Sequence, residues 1–152
     1  TEVVINFDEL RDEIDVATEY AQWVTFEVDG DYALYAWDYA TYSRSEPFTA
    51  YTASSPGGAG VKTDLTFRFA EPVRNLEFYT LGDQTNGRFA TVDVVMENGD
   101  TDSVQLVGDG SSTTGERCDL TAYEHVVSIT VRDMQDSYSV NYDDIRFEQR
   151  GQ

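Results

Sequence analysis

The chain has 152 residues, a length that suits one domain with a core large enough to fold alone. Its 29 acidic and 10 basic residues give a net charge of −19, which excludes nucleic acids and anionic membrane surfaces as partners. A run of about 18 apolar residues, which a transmembrane helix needs, does not occur, and no signal peptide is visible. We therefore expect a single domain over residues 1–152, with no membrane insertion.

The acidity of the chain has two compatible explanations. Lys62 is the one lysine among the ten basic residues. Scarce lysine and abundant acid are typical of proteins from high-salt habitats, where salt screens the self-repulsion of a charged surface. Calcium binding is the other explanation, and it would use a few of the acids.

Short runs in which apolar and polar residues alternate, separated by turn residues, predict about ten short strands. In chain order these runs are Val3–Phe7, Trp23–Val28, Tyr32–Ala40, Phe48–Thr52, Leu65–Phe69, Leu76–Phe78, Phe89–Met96, Thr101–Val107, Val127–Val131 and Ile145–Phe147. The number and spacing of the strands predict an all-β fold, a single antiparallel β-sandwich of the jelly-roll type.

The connections between the strands carry their own signals. Asn98-Gly99 is a strong hairpin signal, and Glu71-Pro72 is expected to end a strand. We expect residues 8–22 to form an irregular connection with about one helical turn. Ala53–Gly60 is rich in glycine and is predicted to be a flexible surface loop.

The two ends of the chain each combine a short apolar strand with a pair of acids. Asp8 and Glu9 follow the first strand, and Asp143 and Asp144 precede the core of the last one. If these strands pair antiparallel, the end of the first lies beside the start of the last. Four carboxylates brought together need a neutralising cation, and calcium takes six to eight oxygen ligands. The sequence therefore predicts a calcium site joining the terminal strands; the alternative is that these acids are solvated strand-end residues.

Three aromatic residues alternate along one predicted strand. Tyr35, Trp37 and Tyr39 project to one side, about 7 Å apart. Because large aromatic residues commonly fill sandwich interiors, one interpretation places this row in the core. The alternative is a platform for sugars, whose apolar faces stack on aromatic rings. Asp38 makes the opposite face less core-like but does not settle the choice.

No motif of an enzyme is present. The sequence has no Gly-x-Ser-x-Gly, phosphate-loop or His-Glu-x-x-His pattern, and a single histidine excludes a multi-histidine metal site. Cys118 is the one cysteine and is interpreted as a small core residue. We therefore expect a protein without catalytic activity.

Four short segments together resemble a family of prokaryotic β-sandwich domains that are secreted or anchored at the cell surface. These segments are Ile5–Leu10, Tyr20–Phe26, Val73–Phe78 and Asp143–Phe147. The family is similar to galactose-binding-like jelly rolls and carbohydrate-binding modules. The resemblance implies an extracellular or cell-surface location and a structural calcium held by Asp8 and by Asp143 or Asp144. Trp23 departs from the family pattern, which usually has glycine at that position.

The sequence and the resemblance lead to one preferred function and one alternative. The preferred function is a carbohydrate-binding or adhesion module that binds a polysaccharide or glycan through Tyr35, Trp37 and Tyr39. Calcium, held by Asp8, Glu9, Asp143 and Asp144, would be structural. The alternative is an interaction domain of an extracellular surface protein, whose partners are other surface proteins and which binds no free sugar.

Overall fold

The structure is a computed structural model that describes residues 2–8, 10, 13–38, 48–82, 85–111, 115–136 and 140–149. These ranges contain ten strands: β1 (Glu2–Ile5), β2 (Val24–Val28), β3 (Ala33–Asp38), β4 (Phe48–Ala53), β5 (Leu65–Leu81), β6 (Asn86–Met96), β7 (Thr101–Asp109), β8 (Glu116–Leu120), β9 (Val126–Arg132) and β10 (Asn141–Gln149). Every strand pairing is antiparallel, as the sequence predicts. The described ranges include no helix with the length and apolar character of a membrane span.

Strand β5 connects two layers of the sandwich. Its first half pairs with β2 and β9, and its second half pairs with β10 and β8. Layer one therefore contains β3, β4, β10, the second half of β5 and β8, with β1 beside β10. Layer two contains β2, the first half of β5, β9, β6 and β7. The prediction of an all-β antiparallel sandwich with about ten strands is confirmed.

The expected strand end at Glu71-Pro72 is wrong, because β5 continues through it for 17 residues. Pro72 lies where the register between β5 and β9 shifts, between the pairs that involve Arg68 and Val73. A proline is tolerated at such an irregularity, since its missing N–H removes no regular ladder bond. The two predicted strands on either side of Pro72 are thus one strand that changes layer.

The core fills the space between the two layers. Phe67 from layer two lies 5.4 Å from Phe78 and 6.3 Å from Tyr142, both in layer one, measured between ring centroids. Phe26 packs edge-on against Phe67 at 5.1 Å. All four side chains are at most 3% exposed. This aromatic cluster holds the layers together.

Other local predictions are largely confirmed. Asn98-Gly99 forms the β6–β7 turn, with Gly99 at a φ of 91°. Between β1 and β2, the described residues form turns and a single helical bond from the Val24 N–H to the Tyr20 carbonyl, at 2.8 Å. Strand β8 was not predicted, because it is short and follows a polar loop.

Cys118 lies on β8 and is 1% exposed, as expected of a core residue. Burial raises the pKa of its thiol to about 12. At pH 8 such a thiol is ionised to roughly one part in ten thousand, and the thiolate is the reactive form. We expect a disulfide reagent to label native protein at least a hundredfold more slowly than protein in guanidinium. Equal labelling rates in the two states would contradict this burial.

Candidate functional site

The outward side of β3 carries the predicted aromatic row. Leu34 and Ala36 are 1% and 0% exposed and belong to the core, whereas Tyr35 and Trp37 are half-buried on the opposite face. The interpretation of this row as core is therefore wrong for Tyr35 and Trp37. Tyr39 lies outside the described residues.

Strand β3 is covered on both edges, which fixes the direction of its side chains. On one side β4 pairs with it along its whole length. On the other side, Glu13 N–H donates to the Ala36 carbonyl at 2.8 Å, and Ala36 N–H donates to the Ile14 carbonyl at 2.9 Å. The irregular segment after β1 thus supports the aromatic face.

The indole of Trp37 packs against Tyr51 of β4. Their ring centroids are 4.7 Å apart, with an interplanar angle of 34°. Tyr51 is 2% exposed, and its hydroxyl donates to the carbonyl of Gly58 at 2.9 Å. The buried Tyr51 ring is therefore held in place, and it supports the half-buried Trp37 indole that packs against it.

The glycine-rich loop beside Tyr51 is attached at its base. Val61 N–H donates to the Thr52 carbonyl at 3.0 Å, and the Thr52 hydroxyl donates to the Val61 carbonyl at 2.7 Å. Gly57 has a φ of 74°, and a Cβ at this position would lie 2.4 Å from Glu13 Oε1. Gly57, which has no Cβ, therefore lets the loop approach Glu13, and Gly58 of the same loop holds the Tyr51 hydroxyl.

Strand register extends the outer face of layer one beyond β3 and β4. Asp143 of β10 pairs with Tyr79 of β5, which pairs with Arg117 of β8. Thr49 and Asp143, which lie between Trp37 and Tyr79, are both 0% exposed. Along this row, the partly exposed side chains are therefore Trp37 at one end and Tyr79 and Arg117 at the other.

The outer face of layer two is different in character. One row in register across its five strands consists of Glu27, Thr66, Thr130, Asp93 and Ser103. The Thr66 and Thr130 hydroxyls are 3.0 Å apart, and the Ser103 hydroxyl donates to Asp93 at 2.7 Å. Glu27 bonds the Arg68 guanidinium at 2.8 Å, and this row offers no ring for stacking. Layer one is therefore the better candidate for a binding face.

The predicted pairing of the terminal strands is confirmed. Strands β1 and β10 are antiparallel, and Ile5 lies opposite Ile145. Asp143 and Asp144 are 0% and 6% exposed, and the Asp144 N–H donates to Asp143 Oδ1 at 2.8 Å. Phe7 has a φ of 66°, which is unusual for a bulky side chain.

Three of the four predicted ligands, Asp8, Asp143 and Asp144, lie in the described part of the chain. Asp8 is half-buried, and its backbone N–H donates to Asn6 Oδ1 at 3.1 Å. Glu9 lies outside the described residues. Within the ranges that the structure describes, no three acidic, histidine or cysteine side chains are grouped closely enough to hold a metal ion. The four-carboxylate site stays a prediction.

Sequence reasoning did not find Tyr51, Glu13, Tyr79 or Arg117 as members of this face. Tyr51 could have been found from the alternation of the predicted strand, which places Tyr51 and Thr49 on the same side. The register that pairs Tyr51 with Tyr35 cannot be predicted from the sequence, because a long connection separates β3 from β4. Arg117 lies on β8, which was not predicted.

No family model matches the sequence, and no curated protein matches it. Among solved structures, the chain is similar to the carbohydrate-binding module TmCBM61, whose structure was determined in complex with β-1,4-galactotriose. The TM-score is 0.50 at 10% sequence identity, and the alignment covers 92% of this chain and 99% of the module. A second similar structure is the enzymatically active domain of tailspike protein 4 from bacteriophage CBA120. Its TM-score is 0.46 at 10% identity, with 91% of this chain and 21% of that chain covered.

These similarities concern the fold. The chain shares an all-β sandwich with a carbohydrate-binding module along nearly its whole length.

Proposed function

We propose that this protein is a non-catalytic carbohydrate-binding module whose primary contact with the glycan is Trp37. The observation that carries the proposal is the half-buried indole on the outer face of layer one, packed 4.7 Å from Tyr51. Sugar rings present apolar C–H faces that stack on such a surface. The rigid backing lowers the entropic cost of binding, because the indole is already oriented.

The charge of the chain limits the ligand class. A net charge of −19 repels uronic acids and sulfated sugars, so the ligand is a neutral glycan. The fold shared with TmCBM61, which was solved with a β-1,4-linked galactose trimer, supports galactans as the first glycans to test. Polymeric glycans of this kind occur outside cells, and we place the protein there or on the cell surface.

The experiment is a glycan array probed with the wild type, followed by affinity electrophoresis in galactan and other neutral polysaccharides. Trp37→Ala is expected to weaken binding at least tenfold, which corresponds to about 1.4 kcal/mol. Trp37→Phe keeps a ring and should retain part of the affinity. Tyr32→Ala is the matched control, since Tyr32 is 40% exposed and lies before β3 at the end of the sandwich. Wild-type binding that Trp37→Ala leaves unchanged would place the site elsewhere.

A structural calcium beside β10 belongs to the same proposal. Asp143 and Asp144 provide two adjacent, buried carboxylates, and a buried carboxylate needs compensating positive charge or hydrogen bonds. Calcium also accepts backbone carbonyls and water, so a site need not contain three acids. The residues present thus fit a site with few carboxylates, in which backbone carbonyls and water complete the ligands. When bound, the ion would neutralise these acids and fix β1 against β10.

A second candidate function is a protein-interaction domain of an extracellular surface protein. It is favoured by β7, which among the described strands pairs with β6 alone and carries Val107 at 57% exposure. An exposed strand edge can accept an extended segment of another protein. A wild-type protein that binds no glycan on the array but recovers a defined protein from a cell-envelope fraction would favour this candidate.

A further inference from the structure

A second group of side chains on the same outer face as Trp37 combines an aromatic ring, a guanidinium and two carboxylates. Glu77 and Tyr79 alternate on β5, and their register partners on β8 are Asp119 and Arg117. The Arg117 guanidinium bonds Glu77, and its Nη1 lies 3.2 Å from Asp119. Tyr79 is half-buried, and the Arg117 side chain is 44% exposed. The cluster is therefore accessible from solvent.

The guanidinium in this cluster is held in a defined orientation. The bond to Glu77 raises the pKa of Arg117, and hydrogen bonds from Thr121 lower the pKa of Asp119. Arginine has five N–H donors in one plane, and the two carboxylates use only some of them. The remaining donors can bond hydroxyl groups of a ligand beside the Tyr79 ring. One positive and two negative side chains leave the cluster with a net charge of −1, which favours a neutral ligand.

Strand register sets the spacing between this cluster and Trp37. Trp37 pairs with Thr49 across β3 and β4, and Asp143 pairs with Tyr79 across β10 and β5. Thr49 lies beside Asp143, because their neighbours Ala50 and Tyr142 are paired. Three strand spacings of about 4.8 Å place Trp37 and Tyr79 roughly 14 Å apart along a line across the strands.

We propose that Tyr79 and Arg117 form a second subsite for the same neutral glycan, which lies across the strands with Trp37 at its other end. This inference rests on the proposed carbohydrate-binding function and adds the direction and the length of the ligand. Because Thr49 and Asp143 are buried, the contacts fall at the two ends of the ligand. A disaccharide is too short to reach both ends, whereas a longer oligosaccharide engages both.

The test is calorimetric titration with β-1,4-galacto-oligosaccharides from the disaccharide to the hexasaccharide, using folded variants checked by circular dichroism. Wild-type affinity is expected to rise at least tenfold between the disaccharide and the longer members. Tyr79→Ala and Arg117→Lys should remove this rise and leave disaccharide binding unchanged, while Trp37→Ala weakens binding at every length. Tyr32→Ala, remote from both ends, should match the wild type.

Two failures can be told apart. If Trp37→Ala abolishes binding but Tyr79→Ala and Arg117→Lys bind every length like the wild type, the second subsite is wrong and the proposed function stands. If the wild type binds no oligosaccharide, the proposed function fails and the subsite with it. Equal or tighter binding of oligogalacturonides would overturn the choice of a neutral ligand.

Discussion

Phe67→Ala is expected to destabilise the protein by about 3–5 kcal/mol, the usual cost of removing a buried phenylalanine. Phe67 is 0% exposed and makes ring contacts with Phe26, Phe78 and Tyr142. Its removal takes away contacts from both layers at once, and backbone pairing on both sides of β5 limits collapse into the cavity. Urea unfolding followed by circular dichroism measures the change.

The control for this variant is a truncation on the surface. Val107→Ala removes two methyl groups from a side chain that is 57% exposed, and we expect a change within about 0.5 kcal/mol. A loss of less than about 1 kcal/mol for Phe67→Ala would mean that the two layers do not meet at this ring.

Chelation is expected to lower the melting temperature if calcium occupies the proposed site beside β10. A ligand that binds only the native state adds about 2.7 kcal/mol at a hundredfold excess over its dissociation constant. That gain corresponds to several degrees in a domain of this size. The melting temperature is expected to fall because folding buries Asp143 and Asp144 whether or not an ion is bound. Chelation removes the ion that would neutralise these two carboxylates.

The controls separate a specific ion from a general effect of salt. Calcium, magnesium and molar sodium chloride are added back to chelated protein in separate samples. We expect micromolar calcium to restore the melting temperature in the wild type but not in Asp144→Asn. Asp31→Asn, which changes an exposed turn acid, should respond like the wild type. If molar salt stabilises the protein whatever its cation, and calcium has no greater effect, the acids form a salt-adapted surface. That result would contradict the proposed calcium site.

Alternation along the chain predicts most strands, because a buried strand of an antiparallel sheet repeats every two residues. Leu65, Phe67 and Phe69 show this clearly. Pro72 was misleading, since the local rule against proline in a strand does not anticipate a bulge at which the strand changes layer. The layer change depends on long-range pairing, which a local pattern does not contain.

The candidate site was predictable only in part for a similar reason. Alternation separates Tyr35 and Trp37 from Leu34 and Ala36, but it does not say which side faces the core. The choice depends on the neighbouring strands. Ala36 pairs with Ala50, which pairs with Tyr142, and the buried ring of Tyr142 belongs to the aromatic cluster of the interior. The smaller residues of β3 therefore point inward, and its aromatic residues point outward.

The most direct measurement of the central claim is an NMR titration that follows the indole N–H signals. The chain has two tryptophans, and they lie in different layers: Trp37 on β3, and Trp23 just before β2, where its carbonyl accepts from the Ala70 N–H. The signal that disappears in Trp37→Phe identifies Trp37. We predict that this signal shifts as a neutral galacto-oligosaccharide is added, while the Trp23 signal stays in place. Saturable binding that moves the Trp23 signal alone, or neither signal, would contradict a glycan site at Trp37.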